Sequence, residues 1–161
     1  MNYISDIKEY IQQKISNGAE VGYYIKNVKI KARKGVIGEK IITIMNNGLK
    51  ETQSTVLNEG DMIITNPSGE QYRVSADIFK ERYTADPDNN GEYFPNPIPQ
   101  KMLFLTEDIS FRAYWGEDMH IKKGGTLNIT DYEIGHIYGI QPSEFQETYT
   151  SYSIMDEDKK N

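Results

Sequence analysis

Hydrophobic and polar residues alternate along much of the chain with the period of β-strands. Val28, Ile30 and Ala32 alternate with basic residues, which predicts a half-buried strand. Other alternating segments flank Asn-Asn-Gly at 46–48 and Asn-Pro-Ser-Gly-Glu at 66–70. Both insertions are rich in residues that tolerate positive φ, so each predicts a β-hairpin.

The N-terminal segment has a helical period instead. Isoleucines recur there at spacings of three and four residues, at Ile4, Ile7, Ile11 and Ile15. This pattern predicts an amphipathic helix from Ser5 to Ile15. Ser5 is the expected N-cap, and Asn17-Gly18 supplies the stop signal.

A longer pattern occurs twice, as "GEQYRVSADIFKERY" at 69–83 and "GHIYGIQPSEFQETY" at 135–149. Both segments place Gly, Tyr, a β-branched residue, Phe and a final Tyr at identical spacings. Each predicts a strand followed by a short helix, at 77–83 and at 143–149. We expect the aromatic residues of both helices to be largely buried: Phe79, Tyr83, Phe145 and Tyr149.

The segments before these patterns also match. "NVKIKA" at 27–32 pairs with "DISFRA" at 108–113, and "DMIIT" at 61–65 pairs with "TLNIT" at 126–130. Only the first copy is expected to carry an extra hairpin, around 46–48.

The predicted fold class is therefore α+β and mostly β. It consists of internally duplicated antiparallel β-meander modules, each closed by a short helix, plus the N-terminal helix. The predicted organisation is an N-terminal helix at 1–18, a first β module at 19–84, a Pro-rich linker at 85–100, a second β module at 101–152 and a charged tail at 153–161. The linker is predicted from Pro87, Pro95, Pro97 and Pro99, because proline lacks the N–H donor that regular structure needs.

Three segments of the first copy carry a family resemblance: "GDMII" at 60–64, "GEQY" at 69–72 and "FKERY" at 79–83. They are similar to the Pro-Gly-Asp-aromatic, Gly-Glu-x-Tyr-Pro and Phe-x-x-x-Tyr segments of PGDYG-type proteins, small proteins common in phages and prophages. Glu59 stands here in place of the proline, and Met62 in place of the aromatic residue. In the second copy Thr126 and His136 take the places of the Asp and Glu. The resemblance implies an origin in a mobile element rather than a defined activity.

Composition excludes several function classes. The chain has 161 residues, no cysteine and a net charge of -6. Without cysteine there are no disulfides, thiolate zinc sites or thiol nucleophiles. The acidic balance argues against a dedicated duplex-DNA binder, which needs surplus Lys and Arg, and it suits a basic partner. No signal-peptide pattern or membrane-spanning run occurs in the sequence, so we expect a cytoplasmic protein.

Aromatic residues in loops are the candidates for protein contacts. Tyr114 and Trp115 precede Gly116 in an expected tight loop, and Tyr93 and Phe94 lie in the expected linker. Such residues are favoured interface anchors. Packing into the core explains them equally well, and the sequence leaves both interpretations open.

Basic residues and histidines are the candidates for a small ligand. Lys29 and Arg33 could contact a phosphate group, and His120 and His136 could approach each other from neighbouring strands. In this alternative, the ligand lies in a pocket between the two repeats. A simpler interpretation than a ligand site is that both histidines lie on the surface, and this is what we expect.

One loop resembles half of an EF-hand calcium site. Asp86, Asp88, Asn90 and Gly91 fit the first half of that motif, but Pro97 stands where the closing glutamate belongs. We therefore expect a turn capped by Asp and Asn side chains, and no metal.

No catalytic signature is present, and the glycine-rich segment at 35–40 lacks the Gly-Lys-Ser/Thr ending of a phosphate-binding loop. We therefore expect a non-enzymatic accessory protein of a mobile element, without a cofactor, that binds a host or phage protein, for example as an inhibitor of a host defence. The alternative is a small-ligand or nucleotide binder. The sequence leaves the oligomeric state open.

Overall fold

The computed structural model describes residues 2–44, 50–67 and 69–152. The chain divides into two compact units, which we call the terminal unit (Met1–Ile25 with Pro99–Asn161) and the central unit (Lys26–Ile98). The fold is α+β and mostly β, as predicted from the sequence. None of the helices within the described residues is long and apolar enough to cross a membrane. The predicted turn at 46–48 and the predicted tail at 153–161 lie outside the described residues.

Short strands make up most of the structure. The helices are α1 (Ile7–Ser16), α2 (Ala76–Arg82) and α3 (Pro142–Thr148), and Tyr132–Ile134 form a 3-10 turn. The strands are β1 (Asn2–Ile4), β2 (Val21–Lys26), β3 (Ile30–Lys34), β4 (Lys40–Ile44), β5 (Lys50–Thr55), β6 (Met62–Thr65), β7 (Gln71–Val74), β8 (Tyr83–Ala85), β9 (Glu92–Pro95), β10 (Gln100–Phe104), β11 (Ile109–Arg112), β12 (Asp118–Ile121), β13 (Thr126–Asn128), β14 (Tyr138–Ile140) and β15 (Tyr149–Tyr152).

The terminal unit contains a five-stranded sheet in the order β14-β13-β10-β2-β15. A second sheet, in the order β1-β11-β12, combines a parallel β1–β11 pair with the antiparallel β11–β12 hairpin. Apolar side chains of both sheets and of α1 form one core, which includes Ile11, Leu103, Phe111, Ile121 and Leu127.

The central unit contains a five-stranded sheet in the order β7-β6-β3-β9-β8 and the separate hairpin β4–β5. The predicted hairpin from β6 to β7 is confirmed by their antiparallel pairing. Ile30, Met62, Ile64 and Phe79 form one core cluster, and a smaller cluster joins the hairpin to the unit through Ile41, Val56 and Ile63.

The N-terminal helix is confirmed, but its predicted N-cap is wrong. Asp6, not Ser5, precedes the first helical residue, and its carboxylate accepts a hydrogen bond from the Glu9 N–H at 3.1 Å. The carboxylate also lies next to the positive end of the helix dipole, where an anion is favoured. Ile11 is buried, whereas Ile15 is largely exposed because it lies in the last turn.

The prediction that residues 85–100 form a linker without regular structure is wrong. It contains β9, which pairs with β3 on one side and with β8 on the other. Pro95 is tolerated because the register with β3 extends only over Glu92 and Tyr93, so the missing N–H costs no ladder bond on that side.

The predicted match between the two copies is wrong at three points. Ile64 lies opposite Tyr72 and Asn128 lies opposite Tyr138, so strand pairing aligns Met62, not Asp61, with Thr126, and the matched segments are shifted by one residue. β10, not the segment at 108–113, takes the place of β3: β10 pairs with β13 as β3 pairs with β6. The chain between β10 and β13 then forms the hairpin β11–β12, just as β4–β5 lies between β3 and β6. Each unit therefore has a hairpin between these two paired strands, and the prediction of a single extra hairpin is wrong.

The two short helices form at the predicted places, and each carries a stacked aromatic pair. Phe79 stacks on Tyr83 at 5.2 Å between ring centroids, and Phe145 stacks on Tyr149 at 5.5 Å. Only Phe79 is as buried as predicted. Phe145 and both tyrosines are half-buried, so the prediction that they are largely buried is wrong for these three residues. Each tyrosine is the first residue of the strand that follows its helix and not a helical residue.

Asp61, the aspartate of the family-like segment, forms a buried ion pair. Its carboxylate lies 3.2 Å from the Arg73 guanidinium, and the side chains are 2% and 18% exposed. In the terminal unit the corresponding turn and strand positions hold Gly125 and Gly139. A Cβ at either glycine would overlap the side chain of Ile121, so Ile121 packs directly against both glycines.

Candidate functional site

The loop between β11 and β12 presents the aromatic residues singled out in the sequence. The Ala113 N–H donates to the Glu117 carbonyl at 2.8 Å, and the Gly116 N–H donates to the Ala113 carbonyl at 2.9 Å. Gly116 has a φ of 93°, a backbone conformation that residues other than glycine rarely adopt. The predicted tight loop is confirmed, and it places Tyr114 and Trp115 at the turn between β11 and β12.

Tyr114 lies between two other rings. It stacks on His136 with 4.3 Å between centroids and an interplanar angle of 14°, and it meets Trp115 edge to face at 5.1 Å. Tyr114 is nevertheless 49% exposed. We call Tyr114, Trp115 and His136 the Tyr114 patch. The contacts with both rings restrict the side chain of Tyr114 although it is half exposed.

Trp115 has a mixed role. It is half-buried and packs against the core of the terminal unit, while it also contacts Tyr114. Trp115 thus contributes to the core of the terminal unit, whereas Tyr114 is exposed and its role as a contact residue stays a prediction.

Charged residues of both signs lie near the Tyr114 patch along the chain, and the Lys8 ammonium lies 4.7 Å from the ring centroid of Tyr132, in the turn before His136. Glu117 follows the aromatic pair, and Glu133 lies in the 3-10 turn that precedes His136. The nearby Arg112 is neutralised by Asp118, whose carboxylate accepts from its Nε at 3.0 Å. Ile134 in the same turn is 66% exposed and adds an apolar group. The sequence pattern did not single out Ile134, because one aliphatic residue in a mostly polar segment does not reveal whether it is exposed.

The other aromatic candidates, Tyr93 and Phe94, lie in the central unit on β9. Tyr93 is not a free contact residue: it packs edge to face on Phe79 at 4.8 Å and joins the core cluster there. Phe94 is partly exposed, and the Lys29 ammonium lies 5.2 Å from its ring centroid.

Lys29 is part of a structural ion pair rather than an open ligand site. Its ammonium donates to the buried Asp86 carboxylate at 2.7 Å. That carboxylate also accepts from the Asn89 amide and the Asp88 N–H. The hydrogen bonds from Asn89 and Lys29 lower the pKa of Asp86 from 3.8 to about 2. The calcium-like loop is thus a turn organised by Asp86, whose oxygens already have protein donors.

Arg33 is also paired. Its guanidinium donates to both carboxylate oxygens of Glu39, and this contact, followed by the Val36 N–H, lowers the pKa of Glu39 from 4.5 to about 2. Arg33 lines an open groove of about 420 Å³ in the central unit together with Lys31 and Glu92. The carboxylate of Glu92 among the groove residues opposes the binding of an anion such as phosphate.

The two histidines have separate environments. His136 belongs to the Tyr114 stack, while His120 lies on β12 opposite Ser110, and its carbonyl accepts from Gln141 at 2.6 Å. Within the described ranges, no group of three or more His, Asp or Glu side chains is arranged to hold a metal ion.

Comparisons with protein-family models, curated proteins and solved structures found no significant match for this chain. The resemblance to PGDYG-type proteins therefore stays a prediction based on the three segments quoted above.

Proposed function

We propose that this protein acts without catalysis, by binding a partner protein through the Tyr114 patch. The observation that carries the proposal is the exposed yet immobilised ring of Tyr114, stacked on His136 in a closed loop. Tyrosine is among the residues that dominate interface energies, since it buries a large ring and keeps a polar tip.

The surroundings of the patch suggest the chemistry of the partner. Glu117 and Glu133 lie within three residues of the patch in sequence, and the whole chain carries a net charge of -6. A complementary partner surface would offer an apolar pocket for Tyr114 with basic residues around it. Opposite charges at the rim would mainly speed association and make it sensitive to salt.

We also propose that the chain arose by internal duplication and serves a phage or another mobile element. The equal strand patterns of the two five-stranded sheets and the matched stacked pairs on α2 and α3 support the duplication. The mobile-element origin has support only from the family-like segments. An inhibitor of a host defence protein fits both the proposed partner binding and the proposed mobile-element origin.

The experiment compares three forms of the full-length chain: wild type, Tyr114→Ala and Tyr23→Ala. Tyr23 is the matched control because it is a tyrosine of the same unit with nearly equal exposure, 51% against 49%. Each tagged form is used to capture proteins from cells of the natural host, and the affinity for the captured partner is then measured by titration.

We expect wild type and Tyr23→Ala to retain a stoichiometric partner. Tyr114→Ala should weaken binding more than tenfold, because a lost anchor of this kind is worth about 2 kcal/mol or more. Equal affinities for all three forms would reject the patch as the contact site. A co-purifying nucleotide without a protein partner would favour the ligand-binding alternative instead.

A further inference from the structure

Each of the two five-stranded sheets takes one strand from an unexpected place in the chain. β2 directly precedes β3 in sequence, yet it pairs with β10. β9 directly precedes β10, yet it pairs with β3. These two strands have the same position in their sheets. β2 lies between β10 and β15, the strand after α3, and β9 lies between β3 and β8, the strand after α2.

The strands β2 and β9 have equivalent registers. Ala32 and Met102 are equivalent, because each lies opposite the residue that pairs with the matched tyrosine, Tyr72 or Tyr138. Gly22 lies opposite Met102, and the Gly91 carbonyl accepts a hydrogen bond from the Ala32 N–H. Counted from these glycines, both segments read Gly-x-Tyr-x-x-Asn, at 22–27 and at 91–96. The internal repeat therefore begins earlier than the quoted "GEQY" and "GHIY" segments, and it includes the residues expected to be a linker.

The equivalent tyrosines of the two strands also make equivalent contacts. Tyr24 meets Phe145 edge to face at 4.9 Å, and Tyr93 meets Phe79 edge to face at 4.8 Å. Each phenylalanine stacks in turn on the tyrosine that follows its own helix. The same cluster of three rings thus occurs in both sheets, and in each case one ring comes from the other half of the chain.

We infer that the chain is a tandem repeat, over about 22–85 and 91–152, whose first strands are exchanged between the two halves. The first strand of each repeat completes the sheet of the other repeat, so neither sheet is complete without both halves. The segment after β9 gives a physical reason. Pro97 and Pro99 hold the backbone extended, and they oppose a tight hairpin that would fold β9 back onto β10.

Engineered disulfides test this arrangement, because the natural chain has no cysteine. Tyr23 lies opposite Lys101, and Lys31 lies opposite Glu92. Directly opposite residues of antiparallel strands have Cα atoms about 4.5–5.5 Å apart, which suits a disulfide. Double variants Tyr23→Cys/Lys101→Cys and Lys31→Cys/Glu92→Cys should therefore cross-link within one molecule. All four side chains are exposed or half-buried, so the variants should keep the fold.

The matched controls recombine the same four positions. If each first strand paired within its own repeat, the equivalent registers would place Tyr23 opposite Lys31 and Glu92 opposite Lys101. The variants Tyr23→Cys/Lys31→Cys and Glu92→Cys/Lys101→Cys should therefore keep free thiols under mild oxidation. Thiol titration and denaturing gels without reductant give the readout, and circular dichroism verifies the fold of each variant.

Rapid cross-linking of the first two variants, with free thiols in the two controls, supports the exchange. Cross-linking of the controls instead would overturn it. Disulfides that form only between two molecules in the first two variants would also overturn it, because the exchange would then occur between copies of the chain. Either cross-linking pair is sufficient should the other variant fail to fold.

Discussion

Replacing Asp61 by alanine should destabilise the protein through the charge that it leaves behind. Asp61 and Arg73 form an ion pair at 3.2 Å, with side chains 2% and 18% exposed. Removing one partner of a buried pair typically costs about 3–5 kcal/mol, since the remaining charge loses its compensation. Arg73 keeps some contact with water, so we expect a loss near the lower end, about 3 kcal/mol.

A double variant separates the charge effect from the loss of packing. Asp61→Ala combined with Arg73→Met removes both charges and keeps an apolar side chain in the Arg73 position. In the terminal unit the positions with the equivalent register hold Gly125 and Gly139, both packed against the apolar side chain of Ile121, so no ion pair forms between those two positions. We therefore expect the double variant to recover at least half of the loss.

Urea unfolding at neutral pH, followed by circular dichroism, gives the free energies of the wild type, both single variants and the double variant. The coupling energy of the cycle should be about 1–3 kcal/mol. A loss below about 0.5 kcal/mol for Asp61→Ala, a value typical of ordinary surface positions, would refute the buried-pair reasoning. So would a double variant whose loss equals the sum of the two single losses.

Three further predictions follow from packing and charge. Phe79→Ala should cost about 3–5 kcal/mol, and Phe145→Ala less because Phe145 is half-buried; equal urea midpoints for the two variants would contradict this difference. Gly139→Ala should destabilise the terminal unit because its Cβ would overlap Ile121, and a melting temperature equal to that of the wild type would disagree. The folded-state pKa of Asp86 is lowered from 3.8 to about 2, so its contribution to stability is present above pH 3.8 and is lost as the pH falls toward about 2. Asp86→Asn should therefore flatten the acid dependence of the urea midpoint in that range, whereas an unchanged slope would argue against the lowered pKa and the hydrogen bonds from Asn89 and Lys29 that cause it.

Local signals in the sequence were enough for some elements and insufficient for others. α2 and α3 were predictable because Phe and Tyr recur four residues apart after a strand pattern, and Pro142 begins a helix readily. β9 was missed because its prolines usually exclude a strand, and only the register with β3 shows why Pro95 is tolerated there. β1 has only three residues, and its parallel partner β11 is far away in sequence.

The candidate site was predictable in part for the same reason. The loop with Tyr114 and Trp115 followed from Gly116 and the flanking strand patterns. The stacking of Tyr114 on His136 depends on how two distant loops meet, and no local pattern encodes that. The partners of Lys29 and Arg33 were equally hidden, although they decide that both cations are already neutralised.

The most direct test of the proposed function is to cross-link the partner from the Tyr114 position itself. A photoreactive phenylalanine analogue replaces Tyr114 in one full-length form and Tyr23, which is equally exposed, in the other. After irradiation in cells of the natural host, mass spectrometry identifies the attached proteins. The proposal predicts one dominant partner protein joined at position 114 and none at position 23. No adduct at position 114, or the same set of adducts at both positions, would contradict it.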